Sequence, residues 1–102
     1  MFLVQMLLPL FDNAGAAFPP ETFRHVQDEL TQAWGGVTAY TRSPAQGRWK
    51  EQGDRVAHDE VLIFEVMVES LDRAWWSRYR SELERRFAQQ AMVMRAMAVE
   101  VL

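Results

Sequence analysis

The sequence predicts an α+β fold in which a four-stranded antiparallel sheet carries two helices on one of its faces. Three observations predict it. The apolar patterns follow the order strand, helix, strand, strand, helix, strand. The segment Val61–Val68 is rich in β-branched and aromatic residues and is too short for a buried helix, which is typical of a central strand. Right-handed crossovers then place the strands in the order 4-1-3-2.

Length and composition exclude several classes of protein. A chain of 102 residues forms one domain, residues 1–102, and its 49% hydrophobic and 25% charged residues are ordinary for a globular protein. A net charge of −3 gives no general attraction to a nucleic-acid backbone or to an anionic membrane, so we expect neither as a partner. The absence of cysteine excludes disulfides, thiolate nucleophiles and cysteine metal ligands.

The N-terminal segment raises the question of targeting. Phe2–Phe11 is apolar and Ala14–Ala17 follows it, as in a signal peptide. No basic residue precedes the apolar run, however, and the predicted fold needs this run as a core strand. No stretch reaches the roughly 20 apolar residues of a membrane span. We therefore expect a cytoplasmic protein.

The first half of the chain contains a strand, a helix and a second strand. Phe2–Pro9 alternates between two faces, as a strand does. A helix is predicted to begin near Pro20, because proline is tolerated in a first turn, and to end at Gly35–Gly36, where glycine accepts a left-handed cap. Apolar residues at spacings of three and four give it one buried stripe. Val37–Arg42 then alternates again and is the predicted second strand.

The middle of the chain is predicted to contain an extra hairpin before the third strand. Ser43–Gly47 has the composition of a turn. Arg48–His58 then has the pattern of a small hairpin, with its own turn at Gln52–Asp54. The third strand, Val61–Val68, is expected to have a lead-in that begins as early as Arg55.

The last part of the chain is predicted to be a helix followed by a strand. Ser70 is a suitable N-cap, and Asp72 suits the positive end of the helix dipole. The helix places Trp76 on its buried face and fades near Gln89–Gln90. Met92–Val101 alternates and completes the sheet.

Alternation along the four strands places a row of polar residues in an apolar floor on the helix-free face. The polar members are Gln5, Thr38, Tyr40, Arg42, Glu65 and Arg95. The apolar members are Leu3, Leu7, Ile63, Met67, Val93 and Met97. The pattern assigns these residues to a face, whereas strand register, which decides their contacts, is not encoded in it.

Two interpretations of this face remain open. In the first it is a ligand pocket, where Glu65 holds a proton, Arg95 binds an anionic group, and Gln5, Tyr40 and Arg42 contact the ligand. In the second these groups form a hydrogen-bonded network at a homodimer interface, because an isolated charge in apolar surroundings must be paired. The apolar residues Leu3, Leu7, Ile63, Met67 and Met97 are then interface residues.

Other candidate residues are few. His58 is a second catalytic candidate, near the end of the sheet. Neither His58 nor His25 has another histidine at a metal-ligand spacing, so no metal site is predicted. No P-loop, Gly-x-Gly-x-x-Gly or Gly-x-Ser-x-Gly motif occurs, and we expect no cofactor. Trp49 lies in the hairpin without an obvious cover and is the predicted anchor of the dimer interface.

The order of elements resembles the ferredoxin-like sandwich, including the dimeric α+β barrel group in which two open sheet faces meet. Trp34-Gly-Gly-Val-Thr38 followed by Ser43-Pro-Ala-Gln-Gly-Arg-Trp49 is similar to small bacterial families of undescribed function. The resemblance implies a homodimer and supplies no catalytic motif.

Two functions are therefore expected as alternatives. The first is a homodimeric binding or structural module that uses the helix-free sheet face. The second is a small cofactor-independent enzyme, an isomerase or oxygenase, acting on a small apolar acid or phenolic compound. In the second, Glu65 is the base and Arg95 holds the anion.

Overall fold

The structure, a computed structural model, describes residues 1–51, 53 and 56–102, without the side chains of residues 43 and 56–58. The elements are β1 (Phe2–Pro9), α1 (Pro20–Trp34), β2 (Thr38–Lys50), β3 (Val56–Val68), α2 (Arg73–Arg86) and β4 (Met94–Ala98). The sheet is antiparallel with the strand order β2-β3-β1-β4. The α+β class is confirmed, and read from β4 the strands follow the order 4-1-3-2.

The two arms of the predicted extra hairpin before strand 3 do pair with each other, from Arg48 opposite His58 to Lys50 opposite Val56, but they do not form a separate element. The arms are continuations of β2 and β3, paired from Ala45 opposite Val61 to Lys50 opposite Val56. The predicted reversal at Ser43–Gly47 is instead an irregularity, where residues 41–44 of β2 stand opposite the single residue Leu62. Pro44 has no N–H for the strand ladder, so a bulge is where a strand tolerates it. The predicted turn at Gln52–Asp54 and the lead-in from Arg55 extend outside the described residues.

The helix boundaries follow their capping chemistry. α1 has proline in its first turn and ends at Gly35, whose φ of 87° is the left-handed conformation that glycine adopts readily, so both predictions are confirmed. The predicted N-cap Ser70 is wrong. Asp72 is the N-cap of α2, and its Oδ1 accepts a hydrogen bond of 3.1 Å from the Trp75 N–H. Ser70 lies two residues too early to serve the first turn of a helix that begins at Arg73.

The last strand is shorter than the predicted Met92–Val101. β4 pairs only with β1, from Met94 opposite Met6 to Ala98 opposite Phe2. Single hydrogen bonds extend the contact by one residue at each end, with the Leu7 N–H donating to Val93 O and the Val99 N–H donating to Met1 O.

One face of the sheet and both helices form the core. The register places Val4 opposite Val66, Met6 opposite Phe64 and Leu8 opposite Leu62, and all six side chains are buried. The helices contribute Phe23, Val26, Leu30, Trp76, Tyr79 and Leu83. Both helices therefore cover the same sheet face, as predicted, and no helix formed by the described residues lies on the opposite face. Neither helix is long and apolar enough to cross a membrane in the described part of the chain.

Aromatic rings and one carboxylate join the two helices. Trp34 stacks on Trp76 with ring centroids 5.4 Å apart and an interplanar angle of 11°. The carboxylate of Glu29 on α1 accepts hydrogen bonds from Tyr79 (3.2 Å) and Arg86 (2.5 Å) on α2. The bonds from Arg86 hold the pKa of Glu29 below its usual value. Helix α2 is thus fixed to α1 by aromatic packing and by charge-assisted hydrogen bonds.

Candidate functional site

The helix-free side of the sheet, called the open face here, carries three rows of side chains that run across the strands. The register aligns one residue of β3, one of β1 and one of β4 in two of the rows, and in the third row the last residue is Val93, just before β4. The rows are Met67–Leu3–Met97, Glu65–Gln5–Arg95 and Ile63–Leu7–Val93. A polar row therefore lies between two apolar rows.

The polar row is a continuous chain of hydrogen bonds across all four strands. The Tyr40 hydroxyl donates to Glu65 Oε2 at 3.1 Å. Gln5 Nε2 donates to Glu65 Oε1 at 2.5 Å, and Gln5 Oε1 accepts from Arg95 Nε at 2.9 Å. Each strand contributes one of these residues. The structure thus brings together four of the five residues predicted to contact a ligand, and their role in binding stays a prediction.

Register and side-chain length explain why these four residues meet. Gln5 lies directly opposite Glu65 on one side and Arg95 on the other. An amide has both donors and an acceptor, so it can bond a carboxylate and a guanidinium at once. Tyr40 lies opposite Ile63, and its long side chain reaches Glu65 along the diagonal of the antiparallel pair.

The row changes the chemistry of Tyr40. The hydrogen bond to Glu65 and the negative charge of that carboxylate raise the pKa of Tyr40 above its usual value. Ionisation of the phenol would remove the donated proton and place two negative charges side by side. Tyr40 is therefore a hydrogen-bond donor at neutral pH.

The apolar rows leave hydrophobic surface exposed around the polar row. Met67 is 55% exposed, Val93 51% and Met97 41%, whereas Leu3, Leu7 and Ile63 are half-buried. Large apolar side chains that are grouped on one face indicate a binding surface more often than apolar side chains that are scattered over the protein.

Glu65 and Arg95 line different cavities although they belong to one row. Glu65 borders a cavity of about 320 Å³ at the end of α1, together with Trp34, Thr38 and Met67. Arg95 borders another cavity, of about 210 Å³, between β4 and α2. The expected pocket around both charges stays a prediction, and in the described part of the chain the two charges border separate cavities.

Three other predicted residues lie apart from the polar row. Arg42 is exposed in the irregular part of β2 and makes no side-chain hydrogen bond to the described residues. The backbone of His58 pairs with Arg48 in the extension of the sheet, and its side chain is outside the description. Trp49 lies opposite Ala57 and is 50% exposed, so the indole is available for a contact.

Two features escaped the sequence analysis. A cavity of about 340 Å³ lies where the β2 extension passes the start of β4, and Trp49, Leu7 and Val93 are among the residues that line it. The cavity at α2 is lined by Arg73 and Arg80, whose spacing of seven on one helix was a usable signal. In residues 1–51, 53 and 56–102, no group of three or more histidine, aspartate or glutamate side chains could hold a metal ion.

Comparisons with known proteins give a structural likeness only. No protein-family model matches the sequence, and no curated protein matches it. Among solved structures, a phage SAM lyase in its apo state is 12% identical, with a TM-score of 0.62 over 94% of this chain and 78% of the other. The phage SAM lyase in complex with S-methyl-5'-thioadenosine gives 12% identity, a TM-score of 0.61 and coverages of 94% and 79%. At this identity the likeness establishes a shared fold.

Proposed function

We propose that this protein is a homodimeric binding or structural module whose open face meets the open face of a second copy. The observation that carries the proposal is the hydrogen-bonded polar row between two apolar rows. Both oxygens of Glu65 already accept hydrogen bonds, from Gln5 and Tyr40. A carboxylate whose two oxygens both accept hydrogen bonds is suited to burial in an interface, because neither oxygen is left without a donor.

The charges of the row favour one arrangement of the two copies. A two-fold axis parallel to the strands places Glu65 over Arg95 of the second copy, because it reverses the direction of the row. The same axis places Met67 over Met97 of the second copy. A two-fold axis along the row would place Glu65 over Glu65, which like-charge repulsion disfavours.

The apolar rows alone would give a weak dimer. Burying the exposed half of Met67, Val93 and Met97 in both copies contributes on the order of 6 kcal/mol, at roughly 2 kcal/mol for a whole side chain. Association itself costs about 4 kcal/mol or more. A half-exposed indole such as that of Trp49 supplies large additional contact area, so we place Trp49 at the rim of the same interface.

Sedimentation velocity at micromolar concentration tests this proposal. We expect a dimer for the native chain, and Trp49→Ala should weaken it by about 2 kcal/mol, or roughly thirtyfold in Kd. Met67→Asp should give a monomer, because it places a charge in both copies of the Met67–Met97 contact. Helix content by circular dichroism should stay unchanged in both variants, since neither side chain belongs to the core.

The matched control is Val101→Asp, which adds the same charge at an exposed apolar residue beyond the end of β4. The control should remain dimeric. A monomeric native chain at these concentrations would overturn the proposal, as would a Met67→Asp variant that dimerises as tightly as the native chain.

A second function is favoured by the cavity beside Glu65. We propose as the alternative a small cofactor-independent enzyme, of isomerase or oxygenase type, acting on a small apolar acid or phenolic compound. The cavity of about 320 Å³ is lined by Glu65 and Thr38 and has room for a small molecule beside Glu65. Glu65 would serve as the base, and Arg95 would hold an anionic group across the row.

Thermal denaturation with a small-molecule panel tests the alternative. The panel contains aromatic carboxylates, phenols and S-methyl-5'-thioadenosine, the molecule bound in the phage enzyme of similar fold. A ligand at a hundredfold its Kd stabilises a protein by about 2.7 kcal/mol, so we expect a Tm increase of about 10 °C or more. Glu65→Gln should abolish the increase and the exposed control Glu69→Gln should keep it. No shift with any compound would contradict this alternative.

A further inference from the structure

A groove of about 210 Å³ separates α2 from the outer edge of β4, and we propose that this groove, the arginine groove, binds a phosphate or phosphoryl oxyanion. Its polar lining consists of Arg73, Ser77, Arg80 and Arg95, and its apolar lining includes Val4, Leu71, Trp76 and Met94. The groove lies at the edge of the sheet. It shares Arg95 with the polar row of the open face, so the inference rests on Arg73 and Arg80 of α2, which take no part in the proposed dimer.

The arginines approach the groove from two elements. Arg73, Ser77 and Arg80 are separated by four and three positions on α2, which puts them on one face of the helix. Arg95 comes from β4 on the other wall. Its Nε donates to Gln5, and among the described residues its two terminal nitrogens have no hydrogen-bond partner.

The positive charge in the groove is not balanced by acids in the described part of the chain. No carboxylate lines the groove, and Arg73, Arg80 and Arg95 form no salt bridge with described residues. By contrast, Arg85 and Arg86, at the end of the same helix, both pair with Glu82. The guanidinium groups of Arg73 and Arg80 repel one another across the helix face that lines the groove, and an oxyanion between them would convert that repulsion into charge-assisted hydrogen bonds.

The edge of β4 supplies further donors. The Leu7 N–H bonds Val93 O, and the Val99 N–H bonds Met1 O, so the odd-numbered residues of β4 direct their backbone groups toward β1. In an antiparallel ladder the residues between them direct theirs to the other side. The N–H groups of Met94 and Ala96 therefore face away from β1, at the side where both residues line the groove.

The groove has room for a small oxyanion. Its volume corresponds to roughly seven water molecules at about 30 Å³ each, enough for a phosphate or for a phosphoryl group with a small substituent. Arginine presents paired N–H donors that match the oxygens of such a group. The phosphoryl group could belong to a free molecule or to a lipid headgroup.

Calorimetric titration of the full chain with inorganic phosphate, at low ionic strength in a phosphate-free buffer, tests the first source. We expect saturable binding with a Kd on the order of 1 mM that weakens as salt is added. Arg73→Gln and Arg80→Gln should each weaken binding about fivefold. Arg78→Gln is the matched control, because Arg78 is an exposed arginine of the same helix that does not line the groove.

Co-sedimentation with phosphatidylcholine vesicles, with and without phosphatidic acid, tests the second source. Binding only to vesicles with phosphatidic acid, lost in Arg80→Gln and kept in Arg78→Gln, would assign the oxyanion to a lipid. Unchanged melting temperatures of the unliganded variants would show that folding is intact. The proposal is overturned if neither phosphate nor these vesicles bind, or if Arg78→Gln weakens binding as much as Arg80→Gln does.

Discussion

At the scale of single residues, Gln5 determines how the two charges of the open face are held. It donates to Glu65 and accepts from Arg95, so the carboxylate and the guanidinium are joined without touching each other. A leucine at this position would leave both charged groups with fewer partners on a half-buried face. The hydrogen bonds to Glu65 and Arg95 therefore explain why a polar residue, Gln5, occurs in the otherwise apolar first strand.

The first residue-scale prediction concerns the ionisation of Tyr40. The chain has two tyrosines, so absorbance titration of a Tyr79→Phe variant reports on Tyr40 alone. We expect its pKa above the usual 10.0, because the proton is donated to Glu65 and the carboxylate disfavours the phenolate. This contact stabilises the fold below pH 10, and the stabilisation is lost as the pH rises through the folded-state pKa.

Glu65→Gln supplies the control for Tyr40. An amide keeps an acceptor oxygen but removes the negative charge, so the pKa of Tyr40 should fall back toward its usual value. Glu69→Gln, at an exposed position just past the end of β3, should leave the titration unchanged. An identical Tyr40 titration in native and Glu65→Gln backgrounds would show that the two side chains do not interact in solution.

Sequence alternation predicted the faces of these residues but not their contacts. Gln5, Glu65 and Arg95 each stand at positions whose neighbours are apolar, which was enough to place all three on the open face. Their hydrogen bonds depend on the strand register. If one strand were shifted by two residues against its neighbour, each side chain would stay on the same sheet face but would lie opposite a different residue. The separation of Glu65 and Arg95 into two cavities likewise depends on α2, which no strand pattern describes.

At the scale of secondary-structure elements, the same residues can mark a turn or a bulge. Ser43–Gly47 contains serine, proline and glycine, which are common where a chain reverses. Here they lie inside β2, where residues 41–44 face one residue of β3. A turn and a bulge both need backbone that leaves the ladder, so composition alone does not distinguish them. Residues on both sides of this segment, Thr38–Tyr40 and Ala45–Lys50, pair with β3, and this shared partner identifies the segment as a bulge.

The element-scale prediction concerns the start of α2. Asp72→Ala removes the side chain that accepts the Trp75 N–H, and we expect a loss of about 1 kcal/mol in the free energy of unfolding. Ser70→Ala should change that free energy by less than about 0.5 kcal/mol, because Ser70 is an exposed residue before the helix. Urea denaturation of both variants measures the difference. Equal losses would mean that the helix begins earlier in solution.

At the scale of the whole molecule, the asymmetry of the sheet is its main property. One face is covered by helices that are fixed to each other through the Trp34–Trp76 stack and the Glu29–Arg86 ion pair. The other carries the three rows. The order of elements and the handedness of crossovers made this arrangement predictable. The sequence did not predict what contacts the open face, because a subunit interface and a ligand pocket both require apolar surface around a few polar groups.

The position of β1 affects how the chain is made. It is synthesised first, yet its neighbours in the sheet are β3 and β4, which follow much later. When β3 is complete at Val68, the residues that finish the sheet, up to Ala98, still require about 2–6 s at typical translation rates. During that interval one edge of β1 has no partner, and an unpaired apolar strand edge is a template for aggregation. We therefore expect the nascent chain to be most prone to aggregation between the completion of β3 and that of β4.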